Sequence, residues 1–104
     1  MKWVRSEGSL VRGPSWCVVL TSEEFTDFKA QARQLLDLLQ TVRQELMEDE
    51  QLTLECATER LGLYLSGLPG AFSLTLTLYY GRSFEGDWPH PAGQEVLDEL
   101  LALG

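Results

Sequence analysis

The chain has no uninterrupted apolar run longer than Trp16–Leu20, whereas a membrane-spanning helix needs roughly 20 apolar residues. Behind Lys2 and Arg5 there is no apolar stretch of the kind found in secretory signals. The expectation is a cytoplasmic protein with no membrane segment. Cysteine is scarce: Cys17 and Cys56 stand apart, outside any CxxC or Cys/His cluster. A disulfide framework or a zinc site is therefore not expected, and both thiols read as small buried side chains. There is one histidine, His90, and no GxGxxG, GxxxxGK[ST] or HExxH motif. Without a recognisable nucleophile, metal or acid–base constellation, the sequence predicts no enzyme activity, no catalytic residue, no metal and no cofactor.

Positive charge is also scarce, with 8 lysines and arginines against 16 acidic residues and a formal net charge of −8. The imbalance is uneven. Residues 1–20 carry three cations and only Glu7, whereas residues 21–51 carry three basic and eight acidic side chains. Such a field opposes non-specific attraction to nucleic acid and anionic lipid.

What is present suits one α+β domain over residues 1–104. Short extended segments at Trp3–Arg5 and Leu10–Arg12 lead to the turn Gly13-Pro14-Ser15 and a stronger strand at Trp16–Leu20, rich in aromatic and β-branched residues. Thr21-Ser22-Glu23-Glu24 has the form of a capping box, with Leu20 and Phe25 placed as a hydrophobic staple. Phe25, Phe28, Ala32, Leu35, Leu39, Val42 and Leu46 then recur at spacings of three and four. They predict a helix from Ser22 to Met47 or Glu48, about 39 Å long at 1.5 Å per residue. A domain of this size has a radius of gyration of roughly 13 Å, so the helix would span the molecule or project from it. Its stripe suits packing on a sheet, and its excess length leaves a homodimer seam through the long helix open. Glu45, Glu48, Asp49 and Glu50 would form an acidic helix end, where the macrodipole disfavours negative charge.

Beyond Asp49 the period becomes two. Leu52, Leu54 and Cys56 alternate with polar or small residues, as do Leu61, Leu63 and Leu65, with a turn near Thr58–Arg60 where the parity switches. After Gly67-Leu68-Pro69-Gly70, Phe72 to Tyr80 alternate again. Pro91 opens a short helix with Val96, Leu97, Leu100 and Leu101 on its apolar face and Gly104 as its cap. The fold class is α+β: a twisted antiparallel β-sheet with one long and one short C-terminal helix packed on one face. The opposite face would carry Thr53, Glu55, Gly62, Tyr64, Ser66, Ser73, Thr75, Thr77 and Tyr79, nearly neutral and rich in hydroxyl groups.

Residues 81–90 read as a glycine-punctuated loop of unusual composition, combining Arg82, Phe84, Glu85, Asp87, Trp88 and His90. As a recognition loop it would pair an exposed Arg82 with an anionic group and offer Phe84 or Trp88 as a stacking face. The competing structural reading has both aromatics folding back over the end of the core. The candidate recognition residues are thus Arg82, Phe84, Glu85, Asp87 and Trp88, with Tyr64 and Tyr79 on the candidate sheet face.

Met1-Lys2-Trp3-Val4-Arg5-Ser6, the run Gln44–Glu50, and Gly81-Arg82 followed by Glu85-Gly86-Asp87-Trp88-Pro89 resemble a family of small uncharacterised proteins from cyanobacteria and chloroplasts. The chain departs from that pattern between Gly8 and Trp16, where relatives carry a longer loop with more aromatic and acidic residues. The resemblance implies a fold similar to that of Whirly-type single-stranded-DNA-binding transcriptional regulators, with a twisted antiparallel sheet and helices on one side. Fold alone does not carry function. The expectation is a non-enzymatic interaction module that binds a protein partner through the polar sheet face, the aromatic loop or the acidic helix end. The alternative is a single-stranded nucleic-acid-binding transcriptional regulator, which would need several of Lys2, Arg5, Arg12, Arg60 and Arg82 on one track.

Overall fold

Leu20 and Phe25 are both buried around the start of the long helix, and the box between them is closed. The Glu24 amide donates to Thr21 Oγ1 at 3.1 Å and the Thr21 amide donates to Glu24 Oε1 at 2.9 Å. In the computed structural model, which describes residues 2–47, 49–79 and 81–103, this box starts helix α1, Ser22–Arg43. Before it come three short strands, β1 (Val4–Arg5), β2 (Leu10–Arg12) and β3 (Cys17–Val19); after it come β4 (Leu52–Ala57), β5 (Leu61–Leu68), β6 (Ala71–Leu78), β7 (Phe84–Trp88) and helix α2 (Ala92–Leu103). The expected roles of Glu48, Tyr80 and Gly104 lie outside the described residues.

The strands make two antiparallel sheets, ordered β1-β2-β3 and β4-β5-β6-β7. In the larger sheet the registers Cys56↔Leu63, Leu63↔Leu76 and Leu76↔Gly86 carry one face across all four strands. That face is the core: Leu61, Leu63, Leu65, Leu74, Leu76, Leu78 and Trp88 are buried beneath α1 and α2. The parity switch near Thr58 is a tight hairpin, held where the Thr58 hydroxyl donates to Asp27 on α1 at 2.9 Å.

Helix α1 ends about one turn earlier than its periodicity suggests. Arg43 is its last residue, and its guanidinium donates to the Pro69 carbonyl. A cation in the last turn complements the macrodipole, and the acids Glu45, Asp49 and Glu50 follow in the connection to β4, where they no longer oppose it. At 22 residues the helix is about 33 Å long, within the molecule's 39 Å long axis, and the radius of gyration is 13.1 Å. Phe25, Phe28, Ala32, Leu35 and Leu39 are buried against the rest of the same chain. The stripe therefore packs on the sheet and α2 of the same molecule.

Two further expectations change. The supposed loop 81–90 contains the edge strand β7, paired to β6 through Leu74↔Trp88, Leu76↔Gly86 and Leu78↔Phe84. Its period-two pattern is present in the sequence but disguised, because a glycine occupies the middle inward position. Cys17 is exposed rather than buried, while Cys56 is buried. The inward positions belong to Val18 on β3 and to Trp16 just before it, both half-buried, so alternation turns Cys17 and Val19 outward.

Candidate functional site

Strand β7 divides the predicted recognition residues between two environments. Its inward side chains build an aromatic wall. Trp88 is 0% exposed and its indole N–H donates to the Arg12 carbonyl at 2.9 Å. Trp16 meets Phe84 and Trp88 edge-to-face, with centroids 5.2 and 4.9 Å apart. Gly86 makes that contact feasible, since a Cβ there would stand 2.5 Å from the Trp16 ring. The Trp16 indole in turn donates to the Asp87 carbonyl at 3.1 Å. Trp88 therefore offers no free stacking face, and the half-buried Phe84 packs edge-to-face on Trp16.

Arg82 is also committed within the chain. Its guanidinium donates to the Val19 carbonyl at 2.6 Å and pairs with Glu24 at 3.2 Å. Glu24 is buried, so Arg82 ties the β6–β7 connection to the cap of α1 rather than to an external anion.

Glu85 and Asp87 point the other way. The register places Glu55, Tyr64, Thr75 and Asp87 in one row across the outer face, and Ala57, Gly62, Thr77 and Glu85 in the next. Neighbouring strands are about 4.8 Å apart, so the first row sets two carboxylates about 14 Å apart with an exposed tyrosine and a threonine between them. The Thr75 hydroxyl donates to Asp87 Oδ1 at 3.2 Å. Tyr79 covers Gly62, where a Cβ would stand 2.5 Å from the phenol oxygen. Tyr64 and Tyr79 are 40% and 38% exposed. Together these residues line a shallow cavity of about 450 Å³ that, among the described residues, contains three carboxylates and no lysine or arginine.

The face is therefore acidic rather than nearly neutral. The error follows directly from reading 81–90 as a loop, because β7 contributes two of the three charges. The available signal was the spacing of Glu85 and Asp87, two residues apart like any pair on one face of a strand.

Four of the five cations on non-helical elements contact other groups of the chain. Arg60 pairs with Glu23 at 2.8 Å and Asp27 at 3.3 Å; the Asp27 hydrogen bond is the main cause of its raised pKa. Lys2 lies 3.9 Å from Glu95, and Arg12 Nε donates to the Lys2 carbonyl. Three carboxylates that the sequence left without a role have structural ones. Asp27 holds the β4–β5 turn, Glu99 accepts from the Trp3 and Val4 amides, and Glu95 accepts from the Trp3 indole at 2.9 Å. On the inner face, burial, assisted by the charge of Glu55, pushes the Cys56 thiol pKa up.

Among the described residues no group of three or more His, Cys, Asp or Glu side chains has the arrangement to hold a metal ion. Among the same residues no helix is long and apolar enough to cross a membrane. What the outer face presents is hydrogen-bond acceptors, hydroxyl groups and two phenol rings, a combination suited to ammonium or guanidinium groups.

No curated protein matches the chain. Among solved structures, it is similar to a protein with unknown function from the DUF155 family of Prochlorococcus sp. NATL2A. The TM-score is 0.83 at 26% identity, covering 95% of this chain and 85% of that one. The small uncharacterised cyanobacterial proteins that the sequence resembles thus have a structural counterpart. The domain of unknown function DUF1818 matches residues 5–103, nearly the whole length, and the chain belongs to that family.

Proposed function

We propose that this protein is a non-enzymatic, cytoplasmic interaction module whose outer sheet face docks a basic segment of a protein partner. The observation that carries the reading is the row Glu55–Tyr64–Thr75–Asp87 with Glu85 beside it, acidic, partly aromatic and, among the described residues, without a neutralising cation in its lining. Of the three surfaces considered from sequence, the aromatic segment is spent on the core. The acids beyond α1 lie in a connection, where Glu50 accepts from the Met47 amide at 3.5 Å. The sheet face is the surface that combines charge, concavity and exposed rings.

The alternative, a single-stranded nucleic-acid-binding regulator, draws on one specific feature. Exposed tyrosines on a sheet whose helices lie on the other side can serve as a stacking platform for bases. Three carboxylates beside those rings oppose a phosphate backbone, and Arg60 and Arg82 are engaged by α1.

Fluorescence anisotropy decides between them. A labelled lysine- and arginine-rich peptide should bind with an affinity that falls as salt rises, and Glu55→Gln, Glu85→Gln and Asp87→Asn together should weaken it by about tenfold or more. Tighter binding of labelled single-stranded DNA than of the peptide, at physiological salt, would overturn the proposal in favour of the regulator.

A further inference from the structure

The two edges of the larger sheet differ in how their backbone groups are used. At one edge Thr58 N donates to the Leu61 carbonyl at 2.8 Å and closes the β4–β5 hairpin. Alternation then directs the amides and carbonyls of Leu52, Leu54 and Cys56 toward β5, and those of Thr53, Glu55 and Ala57 away from it. These three residues are exposed on the terminal strand. Among the described residues, no backbone group outside the sheet bonds to them. The opposite edge is partly covered: the Trp16 indole occupies the outward Asp87 carbonyl, Trp88 reaches across to Arg12, and the strand ends before Pro89.

An open edge of this kind is a template for another strand. A second copy of the chain fits it poorly. The antiparallel register that pairs all three outward residues sets Glu55 directly opposite Glu55 of the other molecule, and like charges directly opposite are destabilising. The net charge of −8 on each copy adds to that repulsion. The same glutamate attracts a basic residue at the facing position. On the inner side of β4, Leu54 is only half buried, so a strand lying beside it would complete its cover with an apolar side chain.

We infer that the free edge of β4 takes an extended segment of a partner protein as an added strand, with basic residues on the outer face alternating with apolar residues on the core side. This rests on the outer-face reading above and adds to it a backbone mode of binding. Main-chain hydrogen bonds to Thr53, Glu55 and Ala57 supply the register, and Glu55 selects the charge.

The test uses an alternating lysine–valine peptide, the same peptide N-methylated at alternate amides, and a glutamate–valine counterpart. Hydrogen exchange of the parent protein is followed by NMR with each peptide. Slowing of the Thr53, Glu55 and Ala57 amides by about tenfold or more with the first peptide, lost on N-methylation, is the expected result. Glu55→Lys should shift preference toward the glutamate–valine peptide. Binding that survives N-methylation with no slowed amide, but weakens in Glu85→Gln, Asp87→Asn, would overturn strand addition and leave the face reading intact. No binding of any basic peptide sinks both. Slowing of the same amides by raising the protein concentration alone identifies a second copy as the occupant and overturns the inference.

Discussion

The two faces of β7 lie on one five-residue strand and have opposite chemistry. Inward, Phe84 and Trp88 flank Gly86, and the missing side chain is filled by Trp16 from the N-terminal sheet. Outward, Glu85 and Asp87 join Glu55 around Tyr64 and Tyr79. The inward face is tightly specified by shape, so a change there is costly. The outward face makes few contacts within the chain, so a change there leaves the fold intact while altering what the surface attracts. The contrast separates residues committed to the core from residues left on the surface in a segment whose composition had suggested a single recognition loop.

The sharpest way to break the contrast is Trp88→Ala. Loss of a fully buried indole and its bond to Arg12 should cost about 3–5 kcal/mol in chemical denaturation, enough to unfold the domain or nearly so. A cost under about 1 kcal/mol would remove the distinction between the faces. Gly86→Ala should follow at about 1–3 kcal/mol, because its Cβ enters the Trp16 ring. The same denaturation series, read together with the tryptophan fluorescence of Gly86→Ala against the parent in a Trp3→Phe background, checks that the aromatic wall is disturbed.

Arg82→Ala should cost about 1–2 kcal/mol, since it leaves the buried Glu24 carboxylate with one fewer donor and frees the Val19 carbonyl. An unchanged denaturation midpoint would return Arg82 to the pool of free surface cations. A smaller effect depends on pH. Because burial raises the Cys56 pKa above its unfolded value, its neutral thiol contributes fully below the unfolded value, and that contribution is lost as pH rises through the raised one. The stability of the parent relative to Cys56→Ala should therefore fall in alkaline buffer and stay constant near neutrality. Smallest of all, Glu85→Gln with Asp87→Asn should leave stability within about 0.5 kcal/mol of the parent. If the double variant proves strongly destabilised, the outer face is structural after all.

Much of this was legible in the residues themselves. Thr21 and Glu24 mark the start of α1 because a capping box is a local arrangement, complete within four residues. The alternations in Leu52–Cys56, Leu61–Leu65 and Phe72–Leu78 predict strands and their buried faces because the pleat has period two. Where the reading failed, a long-range contact had replaced a local signal. Gly86 looks like a loop residue until Trp16, seventy positions earlier, fills its place. Cys17 looks like core until its neighbours Trp16 and Val18 take the inward positions. Arg43, the last residue of α1, is bound by the carbonyl of Pro69 in a distant hairpin, a contact that no local window shows.

The sequence by itself determined the fold class, the two helices, the meander and the acidity of the chain, since propensity, periodicity and charge are properties of short windows. Only the tertiary structure decided that β7 closes the sheet, that Arg60 and Arg82 are bound to α1, and that Glu55, Glu85 and Asp87 share one surface with Tyr64 and Tyr79. Those facts depend on strand register and on which side chain fills which gap. A one-residue shift in pairing would turn Glu85 and Asp87 to the opposite face, and register is settled by packing across the whole sheet rather than within any one segment.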